Sequence, residues 1–148
     1  MSETSGTIDE VLVESNKEQL DIQQIIVLTK SVDFDERSAE KWQVALGSNS
    51  LVAYVKDDDQ LVAFGIVEQR GEQAIIFDMC VDPSRQGKRY GTAIVESLLE
   101  QSKDAGYSRI GLSAWGSNPT VHDFYAKFGF KDATSPIGIT NYMEKTLE

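Results

Sequence analysis

The middle of the chain carries the pattern that restricts the fold most. A strand-like run, a basic loop, a helix-like run and a second strand-like run follow one another at residues 73–81, 82–89, 90–105 and 108–115. A strand, a helix and a strand in succession predict a right-handed crossover that leaves the two strands parallel. Gly106 stands where the helix should end. The fold must therefore hold both strands in one sheet, with the helix against a face of that sheet.

Two further strand-like runs precede this unit, and short polar turns join all three strands into an antiparallel meander. These two runs lie at residues 51–56 and 61–68. Apolar spacing also predicts helices at residues 17–31, 36–46 and 118–128, and short strands at 9–14, 130–133 and 139–146. This order predicts a mixed α/β sandwich and not a doubly wound parallel sheet.

Composition excludes several classes of protein. The 148 residues predict one domain over residues 1–148, with a flexible polar start at residues 1–7 that lacks the features of a signal peptide. A net charge of −10 argues against nucleic-acid binding and suits a cationic substrate, although acidity more often only keeps a protein soluble. No apolar run is long enough for a membrane span. The single cysteine, Cys80, excludes an internal disulfide and fits a reducing cytoplasm.

The loop before the central helix gathers positive charge in this acidic chain. Residues 81–91 read Val-Asp-Pro-Ser-Arg-Gln-Gly-Lys-Arg-Tyr-Gly, with basic side chains at Arg85, Lys88 and Arg89. Backbone N–H groups and the helix dipole attract an anion at such a helix start. The segment matches neither the dinucleotide-binding pattern nor the P-loop. It is either an anion site or a plain turn with solvated basic residues, and in the first case the three basic side chains add charge toward the anion.

Residues 86–91 resemble the acyl-CoA loop of the GNAT superfamily of N-acetyltransferases, whose pattern is Gln/Arg-x-x-Gly-x-Gly/Ala. Gln86 and Gly91 match, and Arg89 replaces the middle glycine. We expect from this departure that the middle position does not need a positive φ angle. The resemblance implies that acetyl-CoA is a cosubstrate whose pyrophosphate is held by the loop and the helix start, namely by Gln86, Gly87, Lys88, Arg89, Tyr90, Gly91 and Thr92.

A second segment strengthens the resemblance, which spans residues 51–143. In the GNAT family a late helix carries Asn, then Tyr seven residues on, then Gly-Phe; here these are Asn118, Tyr125, Gly129 and Phe130. By the family's pattern, Asn118 hydrogen-bonds the pantetheine arm and Tyr125 points at the thioester sulfur. Phe124 and its neighbours more readily pack the helix onto the sheet.

The resemblance also implies the fold class. It is α/β with a GNAT-like mixed, mostly antiparallel sheet, a central splayed pair of parallel strands and helices on both faces. The strand at 73–81 should expose backbone groups of Met79, Cys80 and Val81 where it parts from the strand at 108–115, so that pantetheine pairs with it like an added edge strand.

Amine acetylation needs a neutral amine, a polarised carbonyl and a proton for the departing thiolate. We predict that Tyr125 supplies this proton, a transfer that is uphill by about 2 kcal/mol in water, and that a backbone N–H near Cys80 or Val81 stabilises the oxyanion. Asp78 and Glu68 are the candidate bases. Alternation places Asp78 on one face with Ile76 and Cys80. The GNAT resemblance implies that its carboxylate orients substrate or water; the alternative is that it accepts backbone N–H bonds from a loop. Glu68 is expected to be solvated.

We expect no catalytic role for the remaining reactive side chains. Cys80 has no histidine partner in the pattern, so we expect no acyl-enzyme. His122 is expected at the surface or in a helix-end contact. No cluster has metal-ligand spacing, so no metal is predicted.

Four large aromatic residues and the tail of the chain bear on the identity of the acceptor. Trp42, Tyr54, Trp115 and Tyr142 are either lining of an acceptor pocket or core. The tail at residues 135–143 resembles that of small GNAT enzymes acting on arylalkylamine-like or other primary amines. We therefore predict acetyl transfer from acetyl-CoA to a small primary amine by direct attack in a ternary complex, in a protein that is a candidate homodimer. A protein or peptide N-acetyltransferase and a non-catalytic acyl-CoA-binding module are the alternatives.

Overall fold

The computed structural model describes residues 12–32, 34, 36–87, 89–114 and 119–148. Its helices are α1 (Ile22–Ser31), α2 (Ala39–Gly47), α3 (Tyr90–Asp104) and α4 (Pro119–Ala126). Its strands are β1 (Leu51–Asp57), β2 (Gln60–Arg70), β3 (Gln73–Val81), β4 (Arg109–Ser113), β5 (Lys131–Asp132) and β6 (Tyr142–Thr146). None of the helices in the described part of the chain is long and apolar enough to cross a membrane.

The described residues form one six-stranded sheet in the order β1-β2-β3-β4-β6-β5. Every neighbouring pair is antiparallel except β3 and β4, which are parallel. This arrangement confirms the predicted mixed, mostly antiparallel sheet with a central parallel pair.

Short polar segments set the ends of several elements. Asp58 and Asp59 join β1 to β2 with φ angles of +53° and +63°, as a two-residue hairpin turn of the primed type requires. The side chain of Asp21 accepts a hydrogen bond from the N–H of Gln23 and caps α1. The helix predicted from residue 17 therefore begins only at residue 22, and Lys17–Gln19 forms a separate 3₁₀ turn.

The ends of the chain depart most from the prediction. Of the strand predicted at residues 9–14, the described part contributes one bridge, between Glu14 and Tyr54. The closing strands are shorter than expected, because a long connection occupies residues 133–141.

Apolar side chains form one core on each face of the sheet. The α3/α4 face buries Ile94, Val95 and Leu98 of α3 together with Tyr125 and Phe130. The α1/α2 face buries Ile25, Leu28, Trp42, Phe64 and Cys80. The helices therefore cover both faces, as predicted, and the site must lie where the sheet itself opens.

Candidate active site

The parallel strands part soon after they meet. Ala74 pairs with Ile110 and Ile75 with Gly111, and the pairing recorded between the described residues of β3 and β4 ends there. Beyond this point β3 keeps only its partner β2 as far as Val81. The edge of β3 that faces β4 is thereby left open, and the predicted splayed pair is confirmed.

A β-bulge interrupts β3 on its other side. The register between β2 and β3 shifts between Phe64 and Ile66, so that one residue of β2 lies opposite two of β3, Asp78 and Met79. Asp78 has a φ angle of +52°, a left-handed conformation that is strained for a residue with a β-carbon. Bulges bend a strand and change the direction of its side chains.

The bulge also changes which residues share a face. Ile76 packs in the core of the α3/α4 face, whereas Cys80 packs in that of the α1/α2 face. Asp78 pairs with Arg37, whose guanidinium lies over the ring of Trp42 on the α1/α2 face. The expectation that Asp78, Ile76 and Cys80 lie together is therefore wrong for Ile76, because the extra residue reverses the alternation.

The candidate bases lie in an ion-pair network. Arg37 Nη2 is 2.7 Å from Glu68 Oε2 and 2.9 Å from Asp78 Oδ2, and Arg70 Nη2 is 2.9 Å from Glu68 Oε1. Glu68 is only 8% exposed, so the expectation that it is solvated is wrong. Burial of its carboxylate is compensated by two guanidinium groups.

The helix that follows the loop begins in an unusual conformation. Arg89 precedes α3 with a φ angle of +68°, and among the described residues no side chain caps this helix. The first backbone bond of the helix runs from Ala93 N–H to the carbonyl of Arg89. The N–H groups of Tyr90, Gly91 and Thr92 therefore point out of the helix end. The expectation that position 89 needs no positive φ is wrong: the arginine adopts the conformation for which glycine is suited.

Replacing Arg89 by glycine is expected to stabilise the protein. A left-handed residue with a β-carbon costs about 1 kcal/mol relative to glycine, so the melting temperature should rise by roughly 2–4 °C. Arg89→Ala is the matched control, because alanine keeps the strain. A melting temperature of Arg89→Gly no higher than that of Arg89→Ala would contradict a strained conformation at this position.

Titration of the same variants with acetyl-CoA tests whether Arg89 binds a phosphate. If it does, both variants should bind acetyl-CoA more weakly than wild type. If the side chain is only solvated, their affinity should equal that of wild type.

The loop itself is attached to the β1–β2 hairpin. Arg85 Nη2 lies 2.9 Å from Asp57 Oδ2, and Arg85 Nη1 lies 3.9 Å from Asp82 Oδ2. The Gln86 amide donates to the carbonyl of Val81 at 3.4 Å. Arg85 is thus paired with carboxylates of the chain, and its contribution of charge toward a phosphate stays a prediction. Arg89 is exposed, and Lys88 lies outside the described residues.

Helix α4 closes the opening from the other side. A β-carbon built on Gly91 would lie 3.5 Å from Phe124 Cζ, 3.7 Å from Val81 Cγ2 and 3.9 Å from Met79 Cε. The start of α3, the end of β3 and α4 therefore meet around Gly91. The absence of a side chain at Gly91 leaves room for these three neighbours beside the first turn of α3.

Tyr125 follows Phe124 on α4. It is 6% exposed, and its ring makes edge contacts with Phe124 and Phe130 at centroid distances of 5.0 and 5.7 Å. Burial, and next the neighbouring Cys80 thiol, raise the pKa of the Tyr125 phenol well above its usual value. The phenol is thus protonated at neutral pH.

Cys80 is buried and free. Burial, and next the charge of Asp78, raise the pKa of its thiol well above the usual 9.0. A thiol rather than a thiolate stands at this position, which makes it a poor nucleophile.

The Cys80 shift predicts a pH dependence of stability. Below pH 9 the thiol is protonated in both states; above it the thiol ionises only in the unfolded chain, so the free energy of unfolding falls by up to about 1.4 kcal/mol per pH unit. Cys80→Ala lacks this dependence. The stability gap between wild type and variant, measured by urea unfolding, should therefore narrow by about 1 kcal/mol between pH 8.5 and 10. A constant gap would contradict a raised thiol pKa.

Two predicted acceptor-pocket residues belong to the core. Trp42 is 1% exposed and packs edge-on against Phe64. Tyr54 is fully buried, and its hydroxyl donates to the carbonyl of Asn16 at 2.8 Å. The pocket hypothesis is wrong for both side chains. Trp115 lies outside the described residues.

A surface cavity of about 760 Å³ lies between α4, the end of β4 and the connection at residues 133–141. Tyr142, His122, Asp123 and Asp132 contribute to its lining. His122 Nε2 lies 2.9 Å from Asp132 Oδ1, the surface contact expected of it. Over the described ranges, no group of three or more His, Cys, Asp or Glu side chains could hold a metal ion.

The family assignment agrees with this geometry. Residues 20–130 match the model of the acetyltransferase (GNAT) family. The chain belongs to this family. It is thus an acetyl-CoA-dependent N-acetyltransferase, and the GNAT resemblance carried by the loop and α4 is confirmed.

Three GNAT proteins illustrate the similarity. An uncharacterised N-acetyltransferase, ycf52, of Pyropia yezoensis is 30% identical over 126 residues, which cover 82% of this chain and 70% of that protein. The ribosomal-protein-S18-alanine N-acetyltransferase of Escherichia coli has the same fold, with a TM-score of 0.78, 20% identity and coverage of 93% and 94%. An N-acetyltransferase of Thermoplasma acidophilum, PaiA, solved with coenzyme A, gives 0.72 at 19% identity, covering 92% and 99%.

The GNAT motif residues fall into three groups in the structure. Met79, Val81 and Gly91 come together at the open edge of β3, and Tyr125 belongs to the core of the α3/α4 face, against which Met79 and Val81 also pack. Gln86 and Gly87 lie in the turn before α3. Asn118 lies outside the described residues. Sequence reasoning missed Arg37, which fell at the start of the helix predicted at residues 36–46 and belonged to no motif.

Proposed function

We propose that the chain transfers an acetyl group from acetyl-CoA to a primary amine by direct attack in a ternary complex. The observation that carries this proposal is the meeting of the open β3 edge and the uncapped start of α3 beside α4, the helix that carries Tyr125. Each is a requirement of acyl transfer from a thioester: an anchor for the acyl arm, an anchor for the phosphates and a proton donor.

The cosubstrate is held in two places. The open backbone of Met79, Cys80 and Val81 pairs with the amide groups of pantetheine, like an added strand. The outward N–H groups at the start of α3 bind the pyrophosphate. The loop residues that hold it are Gln86, Gly87, Lys88, Arg89, Tyr90, Gly91 and Thr92, with Asn118 on the pantetheine arm.

Tyr125 acts as the general acid. Its phenol is buried and protonated at neutral pH, so it can donate to a thiolate that leaves next to β3. The raised pKa makes this transfer harder than the roughly 2 kcal/mol expected in water. The transfer is feasible because the same burial destabilises the thiolate.

Asp78, in the bulge of β3, helps to deprotonate the acceptor amine. At pH 7 only about one alkylamine molecule in a thousand is in the neutral form, so a base must remove a proton before attack. The Asp78 carboxylate either accepts it or orients the water that does, while Arg37 sets the position of that carboxylate. A backbone N–H of Cys80 or Val81 stabilises the oxyanion.

Thiol release from acetyl-CoA across a panel of acceptors tests the proposed activity. The panel contains arylalkylamines, polyamines, amino acids and peptides with an amino-terminal alanine. We expect release with at least one small primary amine, and mass spectrometry should find the acetyl group on its nitrogen. Retention of the acetyl group on the enzyme before the amine is added would contradict direct attack.

A protein acceptor is the second candidate. It is favoured by the fold similarity to the S18-alanine N-acetyltransferase, and acetylation of the alanine peptides without turnover of the small amines would select it. Absence of release with every acceptor, combined with tight coenzyme A binding, would select the non-catalytic acyl-CoA-binding module.

The cellular compartment and the oligomeric state are also proposals. A free buried thiol at Cys80 suits the reducing cytoplasm. The homodimer stays a prediction, which the elution volume of the purified chain on a calibrated size-exclusion column tests.

A further inference from the structure

Arg37 joins two strands through one nitrogen atom. It lies in the connection between α1 and α2, and its Nη2 contacts Glu68 of β2 at 2.7 Å and Asp78 of β3 at 2.9 Å. Its guanidinium lies over the Trp42 ring, 4.5 Å from the centroid. The side chain is 21% exposed, so both contacts are partly shielded from water, which strengthens them.

The contact with Asp78 falls on the strained residue of the bulge. Asp78 holds a φ angle of +52°, and a residue with a β-carbon persists in that conformation only where its surroundings enforce it. The ion pair with Arg37 is such a restraint, because it holds the Asp78 side chain on the α1/α2 face.

The bulge adjoins the open edge of β3. The recorded pairing with β4 ends at Ile75, and Met79, Cys80 and Val81 follow the bulge. In this part β3 is supported by β2 and not by β4, so the direction in which the open edge leaves β4 depends on the conformation of the bulge residue Asp78.

We propose that Arg37 is a positioning residue for acetyl transfer. By holding Asp78 in the bulge, it fixes the direction of the open edge and the orientation of the Asp78 carboxylate. This inference rests on the proposed function in one respect: the edge is where the acyl arm lies and Asp78 faces the acceptor.

Arg70 offers a matched control. It also pairs with Glu68, at 2.9 Å, and its guanidinium lies 4.8 Å from the centroid of the Phe77 ring. Its side chain is 49% exposed. Arg70→Met therefore removes a cation of the same network, while the Arg37–Asp78 ion pair is kept.

The test compares Arg37→Met, Arg37→Gln and Arg70→Met with wild type. Amide hydrogen exchange of residues 77–81 should accelerate at least about tenfold in Arg37→Met, less in Arg37→Gln, and less than about twofold in Arg70→Met. With an acceptor identified, kcat of Arg37→Met should fall at least about tenfold while KM for acetyl-CoA changes less than about threefold.

Equal effects of Arg37→Met and Arg70→Met on exchange and kcat would overturn the proposal, since both would then reflect general loss of the network. If Arg37→Met does not fold, Arg37→Gln decides: unchanged exchange at residues 77–81 overturns the proposal. If wild type shows no acetyl transfer, the proposed function fails, yet exchange at residues 77–81 still decides whether Arg37 fixes the edge.

Discussion

Tyr125→Phe is expected to lower kcat by about 100-fold, because a positioned general acid contributes roughly 10²–10⁴-fold to a reaction of this kind. The substitution removes one oxygen from a ring that keeps its contacts with Phe124 and Phe130. The dissociation constant of coenzyme A should therefore change less than about threefold, since the start of α3 binds its phosphates and the open edge of β3 binds its pantetheine arm. Thiol release under saturating substrates measures kcat, and calorimetry measures binding.

Tyr107→Phe serves as the control. Tyr107 also packs partly buried against the core of the α3/α4 face, but it precedes β4 at the end of the sheet remote from α3's first turn. It should keep wild-type kcat. The acid assignment of Tyr125 fails if Tyr125→Phe turns over as fast as this control.

The pH dependence gives Tyr125 an independent signature. Because burial raises the pKa of the phenol above its usual 10.0, the acid stays protonated as pH rises from 7 to 10. The wild-type kcat should therefore show no loss from this group over that range. A decline of kcat as pH rises from 7 to 10 that is absent from Tyr125→Phe would contradict a raised pKa.

Gly91→Glu is expected to weaken coenzyme A binding by more than about 100-fold. The new carboxylate would stand in the first turn of α3, where the pyrophosphate approaches, and repulsion between close like charges in a shielded site costs several kcal/mol. The side chain would leave the backbone toward Phe124, Val81 and Met79, so the variant is expected to lose some stability as well. Thermal unfolding checks the fold, and calorimetric titration with coenzyme A checks the affinity.

Two further substitutions at the same position separate charge from bulk. Gly91→Gln has the size of the glutamate variant without its charge, and Gly91→Ala places only a β-carbon at ordinary contact distance from Phe124. We expect Gly91→Ala to bind nearly as wild type and Gly91→Gln to lie between the two. Equal loss in the glutamine and glutamate variants would mean that bulk alone blocks the site.

Local patterns predicted the elements and their order. Apolar spacing located α3 and β4, the polar turn at residues 57–60 predicted the first hairpin, and the crossover rule predicted the parallel pair. The loop at residues 86–91 and Tyr125 were singled out as candidates because their signals lie within short segments, where residue identity and spacing carry the information.

Local patterns did not predict the bulge or what it does. One extra residue in β3 reverses the face of every residue after it, and alternation cannot show an insertion. Arg37 and Asp78 are 41 positions apart in the chain, so only the packed sheet shows that they pair. The burial of Glu68 and the pairing of Arg85 with Asp57 were not predicted for the same reason, since both depend on residues that are distant in the chain.

The sequence by itself determined the family, the mixed sheet and the anchors expected to hold acetyl-CoA, because each depends on residues close together in the chain. The tertiary structure alone decided which carboxylates are neutralised, which face Asp78 takes and that Arg89 adopts a left-handed conformation. Those properties depend on backbone geometry and on charges from distant segments, whose energies are set only when the strands and helices are packed together.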